Sequence, residues 1–193
     1  MLKIVLFAAS VLFAALGYAA PASHPMSSIE TARRDNIARE LHLYIGKTIA
    51  LASAGKPYQE VIAHIGKPPA HHQQALDSGE GGASLYPDSA LFKEITFGLG
   101  RGEQAQYIVS MEFIAKKGAF DMHDLGAAFG EWQRSPKEPE QATYAVAWFP
   151  KYDKASGARF FLYAEDGDYT THIDPHKTPV RIFFQTDHFR WGD

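Results

Sequence analysis

Nine histidines and no cysteine set the first chemical limits. Without a thiol there is no disulfide, no thiolate metal site, no thiol nucleophile and no lipid-modified N-terminal cysteine. The densest group of candidate ligands is His172-Ile-Asp174-Pro-His176. It holds two imidazoles and a carboxylate, with a proline to bend the chain between them. A metal-assisted reaction there would need a further ligand, and no second cluster at metal spacing supplies one. His71-His72 are adjacent on a polar stretch, a poor starting point for a chelate. Asp166-Gly-Asp168 lacks the twelve-residue spacing and closing glutamate of a calcium loop. Gly98-Leu-Gly100-Arg-Gly102 has no helix behind it to hold a phosphate. Glu131, Glu138 and Glu140 fall in a segment that reads as a loop, unsuited to a fixed acid/base pair. Serine, histidine and aspartate occur without a Gly-x-Ser-x-Gly elbow. The expectation is a protein with no catalytic residues, no metal and no cofactor.

The elements that position these residues begin with an address. Met1 to Ala22 carries Lys3, an apolar run over 4–16 and then small residues, the pattern of a secretory signal peptide. The run is short for a membrane span, which needs about 20 apolar residues. Cleavage after Ala19 or Ala22 fits, and the mature chain is expected in a bacterial periplasm or outside the cell, with no membrane insertion. Removing Lys3 from the 19 basic residues leaves 18 against 22 acidic, so nucleic acid is not an expected partner. At 46% hydrophobic residues, the 193-residue chain has material for a real core. Residues 23–193 read as one domain.

Ser27-Ser28-Ile29-Glu30 resembles a capping box, and Ile37, Leu41, Ile45 and Ile49 form one apolar stripe. This spacing predicts a helix over 28–53, loosened at Gly46. A short helix follows over 57–66, then a polar loop over 70–82. Extended runs over 83–86, 91–99 and 106–115 make a meander. Residues 121–130 form another short helix, in which Leu125, Phe129 and Gly130 repeat the offsets of Val61, Ile65 and Gly66. A loop over 133–141 and strands near 143–149, 158–165, 168–173 and 179–186 complete the chain. The pattern predicts an α+β fold: antiparallel sheet with helices on one face, built from two tandem α-βββ(β) units, 27–117 and 118–193.

Alternation assigns Ile95, Phe97, Val109, Met111, Phe113, Val146, Trp148, Phe160, Leu162, Ile182 and Phe184 to the helix side. The other side of the second half then holds Phe149, Phe161, Tyr163, Glu165, Arg181 and Phe183. Aromatic rings and arginine anchor protein interfaces, so these six are the candidate partner-binding residues.

The helix ending in Ile65-Gly-Lys-Pro68 and the matching segment 122–130 resemble the β-lactamase-inhibitor-protein-like fold and BamE-type envelope proteins. That resemblance implies two helix-plus-sheet units in tandem and a non-catalytic protein that binds other proteins across a sheet face. The expected function is therefore inhibition or immunity, with an exported enzyme or toxin as partner. The alternatives are an envelope scaffold and a metal-assisted enzyme using His172, Asp174 and His176.

Overall fold

The N-terminal helix owes its start to charge and its seat to one apolar stripe. In α1 (Ser28–Leu41), Glu30 accepts from Arg33 and Arg34 at 3.0 Å each. These bonds, Arg33 first, hold the Glu30 carboxyl down at about 2. Ile37 and Leu41 face inward. The computed structural model describes residues 28–77, 81–134, 146–150, 160–165 and 173–186; the leader over 1–22 lies outside them, as do the Asp166-Gly-Asp168 segment and all but residue 173 of the strand expected over 168–173.

Helical structure runs on through a π-helical turn, His42–Gly46, into α2 (Lys47–Ser53). The wider turn brings the sequence neighbours Tyr44 and Ile45 both inward, followed by Thr48 and Ile49. Thr48 donates its hydroxyl hydrogen to the Tyr44 carbonyl. The 3.1 Å contact with His64 Nε2 therefore has His64 donating to Thr48. His64 Nδ1 is buried and meets no hydrogen-bond partner among the described residues. Burial, helped by Lys47, pushes the His64 imidazole below the usual histidine range.

Pro57 precedes α3 (Tyr58–Ile62), and Pro69 precedes α4 (Ala70–Asp77). The expected 70–82 loop is thus half helix. Pro69 offers its carbonyl to the His72 and Gln73 amides, and Leu76 is buried. One apolar anchor in a polar octapeptide gives little periodicity to read. Helix α5 (Met122–Phe129) opens on a reciprocal capping box between Asp121 and Asp124. Arg33 and Arg34 reach within 3.8 and 4.0 Å of Asp124, clasping α1 to α5. Burial pushes the Asp124 carboxyl up despite those arginines.

The strands are β1 (Gly82–Leu85), β2 (Phe92–Leu99), β3 (Ile108–Ala115), β4 (Gln133–Arg134), β5 (Val146–Trp148), β6 (Phe160–Glu165) and β7 (Arg181–Thr186). They form one antiparallel sheet in the order β1-β2-β3-β7-β6-β5-β4. Two meanders therefore join through their last strands. Phe113 on β3 and Phe184 on β7, ring centres 6.1 Å apart, carry the core across that junction. The two-residue β4 lies where a loop was expected; Gln133 and Arg134 are both exposed and give no alternation signal.

Residues of α1 to α5 and of the inner strand positions enter a single core cluster. The described helices therefore sit on one side of the sheet. Loop 86–91 is tied beneath α1: Glu40 accepts from Ser89 Oγ at 2.9 Å and Ala90 N at 3.0 Å, and Tyr44 donates to the Asp88 carbonyl. At the β1 edge, the Ser84 amide donates to His72 Nδ1 at 3.2 Å, so α4 covers an otherwise open strand.

Two assignments of side change. A bulge pairs Gly98 with Ser110 but Leu99 with Ile108, so Ile108 enters the core and Val109 is only half-buried. On β5, Ala147 is buried, Phe149 just beyond its end is buried too, and Val146 and Trp148 lie on the opposite face. Phe149 is 0% exposed, its ring edge-on to Phe129 at 6.2 Å. It is a core residue, which corrects its expected place on the binding face. Both faces of this strand are apolar, so the period of two carries no signal about which is inside.

Candidate binding face

The helix-free side is organised by register. Trp148 pairs with Tyr163, Tyr163 with Phe183, Phe183 with Glu112, Glu112 with Thr96 and Thr96 with Ser84. One line perpendicular to the strands therefore reads Trp148, Tyr163, Phe183, Glu112, Thr96, Ser84. The aromatic positions all fall on β5, β6 and β7, and the small polar ones on β1 and β2. The next line is Val146, Glu165, Arg181 and Ile114. On the other flank, Phe161, Gln185 and Ser110 align.

Arg181 is the hub of the described side chains. Its Nη1 lies 3.3 Å from Glu112 Oε1, and its guanidinium carbon sits 5.5 Å from the centre of the Phe183 ring. Arg181 and Phe183 are two residues apart on one strand, so they share a face by necessity. The Glu112 carboxylate keeps 39% of its surface exposed and the Arg181 side chain 26%. A pair this open contributes at most about 1 kcal/mol. It also holds the guanidinium beside the Phe183 ring. Farther along, Ser84 Oγ donates to Glu94 Oε1 at 2.8 Å. Trp148, Val146 and Phe183 are half-buried.

Of the six expected residues, Arg181 and Phe183 lie on this side. Phe161, Tyr163 and Glu165 hold β6 positions paired with Gln185, Phe183 and Arg181, while Phe149 belongs to the core. Alternation put Trp148 and Val146 on the helix side, and the structure moves both to this face. Trp148 was readable only through register, because its opposition to Tyr163 depends on where β5 meets β6.

The ligand-rich segments have other partners. His172 lies outside the described residues. Asp174 Oδ1 accepts the His176 amide at 2.9 Å, and the exposed His176 ring rests 4.8 Å from that of His123. His71 and His72 pack ring to ring at 4.1 Å in α4. Among the described residues, no three His, Asp or Glu side chains gather to hold a metal ion, and no helix is long and apolar enough to cross a membrane. Glu138 and Glu140 lie outside the described residues.

No protein-family model, curated protein or solved structure matches the chain.

Proposed function

We propose that this is an exported, non-catalytic protein that grips another protein through the helix-free face of its sheet. The line Trp148, Tyr163, Phe183 beside Arg181 carries the reading. Tryptophan, tyrosine and arginine are the residue types that dominate binding energy at protein interfaces. Here they are grouped on three adjacent strands, with small polar neighbours that let a partner approach. The partner in this reading is an envelope-acting enzyme or toxin, neutralised by a surface laid over its active site. The Met1–Ala22 leader supports export.

The finer architecture belongs to the same proposal. We read the sheet as two helix-plus-meander units placed tail to tail. Two observations support this: the β3–β7 junction, and the short helices that precede each half with equal spacing of apolar residues. That arrangement is the one implied by resemblance to the β-lactamase-inhibitor-protein-like fold.

The test is co-purification of the full chain from its native envelope, comparing wild type with Trp148→Ala and Phe183→Thr. The reading expects a hydrolase or toxin to be retained by wild type and lost by both variants, with melting curves little changed. Retention by either variant, or recovery of outer-membrane assembly components instead, would refute it.

A further inference from the structure

We propose that the seat is built for a basic, proline-rich segment of the partner, lying across the strands as a polyproline II helix. This rests on the protein-binding reading above and narrows it to a ligand class.

Repeat distance along the aromatic line selects the ligand's conformation. Trp148 on β5 and Phe183 on β7 are separated by two strand spacings, with the Tyr163 position between them. Neighbouring strands lie about 4.8 Å apart, so the outer positions are about 9.6 Å apart. A polyproline II helix repeats every three residues at 3.1 Å each, about 9.3 Å. Residues i and i+3 of such a ligand therefore fall on the two outer rings, and the intervening turn meets the middle position. Other conformations fit less well. Same-face residues of an extended strand recur about every 6.6 Å, which matches neither one spacing nor two. Two turns of α-helix cover about 10.8 Å, more than an ångström too long. Proline rings seat on aromatic side chains because both surfaces are flat and apolar, and a preformed polyproline II segment has little order left to lose on binding.

Charge on the same face selects the ligand's sign. The position after Phe183 on the same line is Glu112, whose carboxylate is partly open to solvent. Glu94 lies on the same face, and Glu165 holds the β6 position paired with Arg181. Glu112 thus meets Arg181 directly, Glu165 occupies the adjoining β6 position, and Glu94 stands two strands away across Ile114. A ligand arginine one or two residues beyond the second seated proline would come over Glu112 and share it with Arg181, restoring charge balance. An acidic ligand would meet repulsion at the same place.

The experiment uses the full mature chain and a capped peptide of three Pro-x-x-Pro repeats ending in two arginines. Binding is followed by tryptophan fluorescence and calorimetry. Controls replace every proline by glycine, or both arginines by glutamate, and a chitin-type hexasaccharide tests the other ligand that flat aromatic surfaces attract. We expect saturable binding of the proline-arginine peptide and at least about tenfold weaker binding of each control peptide. Trp148→Ala and Phe183→Thr should each weaken the peptide by about tenfold or more. Glu112→Gln should remove the advantage of arginine over glutamate while leaving the proline preference intact. If Phe183→Thr does not fold, judged by its melting curve, Trp148→Ala on the short β5 carries the test. Absence of saturable binding, equal affinity for the glycine peptide, or binding of the hexasaccharide in its place would overturn the proposal. Should that happen while Trp148→Ala still releases the native partner, protein binding stands and only the ligand class falls. If Trp148→Ala keeps the native partner, both fall.

Discussion

Phe149 and Phe183 lie on opposite sides of one sheet, and truncating each in turn measures which side is the core. Phe149 is fully buried against Phe129, whereas Phe183 is half-buried beneath a guanidinium on the helix-free face. Removing a packed phenylalanine ring costs about 3–5 kcal/mol, the lost transfer energy plus the cavity left behind. For a domain of this size, each kcal/mol shifts the melting temperature by about 2–4 °C. Phe149→Ala should therefore melt roughly 6–20 °C below wild type, and against a total stability of about 5–15 kcal/mol it should be largely unfolded in mild denaturant. Phe183→Thr removes a ring that keeps part of its surface in water and leaves a residue suited to a strand, so its cost should be about 1 kcal/mol. Urea titrations monitored by circular dichroism give both values on one scale. A smaller loss for Phe149→Ala than for Phe183→Thr would refute this register, because the two rings would then have exchanged sides.

Other perturbations bear on the parts that hold this sheet in place. His64 is favoured neutral in the folded chain, so its contribution to stability is complete above pH 6.5 and is lost as pH falls from there through its lowered folded-state value. His64→Gln should flatten the acid side of the stability profile over that window, and an unchanged slope would refute the assignment. Asp124 has the opposite sign: its raised carboxyl penalises the folded state above its folded value, and that penalty is relieved as pH falls towards 3.8. Asp121→Ala removes the side chain that caps α5 through the Asp124 amide at 2.9 Å and should cost about 1 kcal/mol in denaturant melts. Glu40→Ala leaves Ser89 Oγ and the Ala90 amide without their shared acceptor and should cost about 1–2 kcal/mol. Hydrogen exchange should then rise first in loop 86–91, and exchange unchanged there would count against the tie to α1.

Elements with strong periodicity were legible in the sequence. The stripe from Ile37 to Ile49 placed the long helix and even its disturbed region, though not that the disturbance is a π turn drawing Tyr44 and Ile45 inward together. The first meander was readable because Ile95, Phe97, Met111 and Phe113 alternate with polar neighbours. Signals failed where alternation carries no contrast. Around β5 every residue from Ala145 to Phe149 is apolar, so Phe149 and Trp148 each went to the wrong face. The bulge at Val109 reverses side choice within a single strand, which no fixed period can anticipate. Helix α4 and strand β4 were missed because they are short and mostly polar. The aromatic line itself is a product of how three consecutive strands pair. Its members lie far apart in the chain, and only the β5–β6–β7 register aligns them.

The most direct measurement is hydroxyl-radical footprinting of the full chain, alone and with any protein recovered by co-purification bound, read ring by ring. In the free protein, Trp148, Tyr163 and Phe183 should be oxidised while Phe149, Phe113 and Phe92 are spared, and the partner should protect the first three. Rings at 148, 163 and 183 that stay as unreactive as the core in the free chain, or that react equally with the partner in place, would contradict a binding face there.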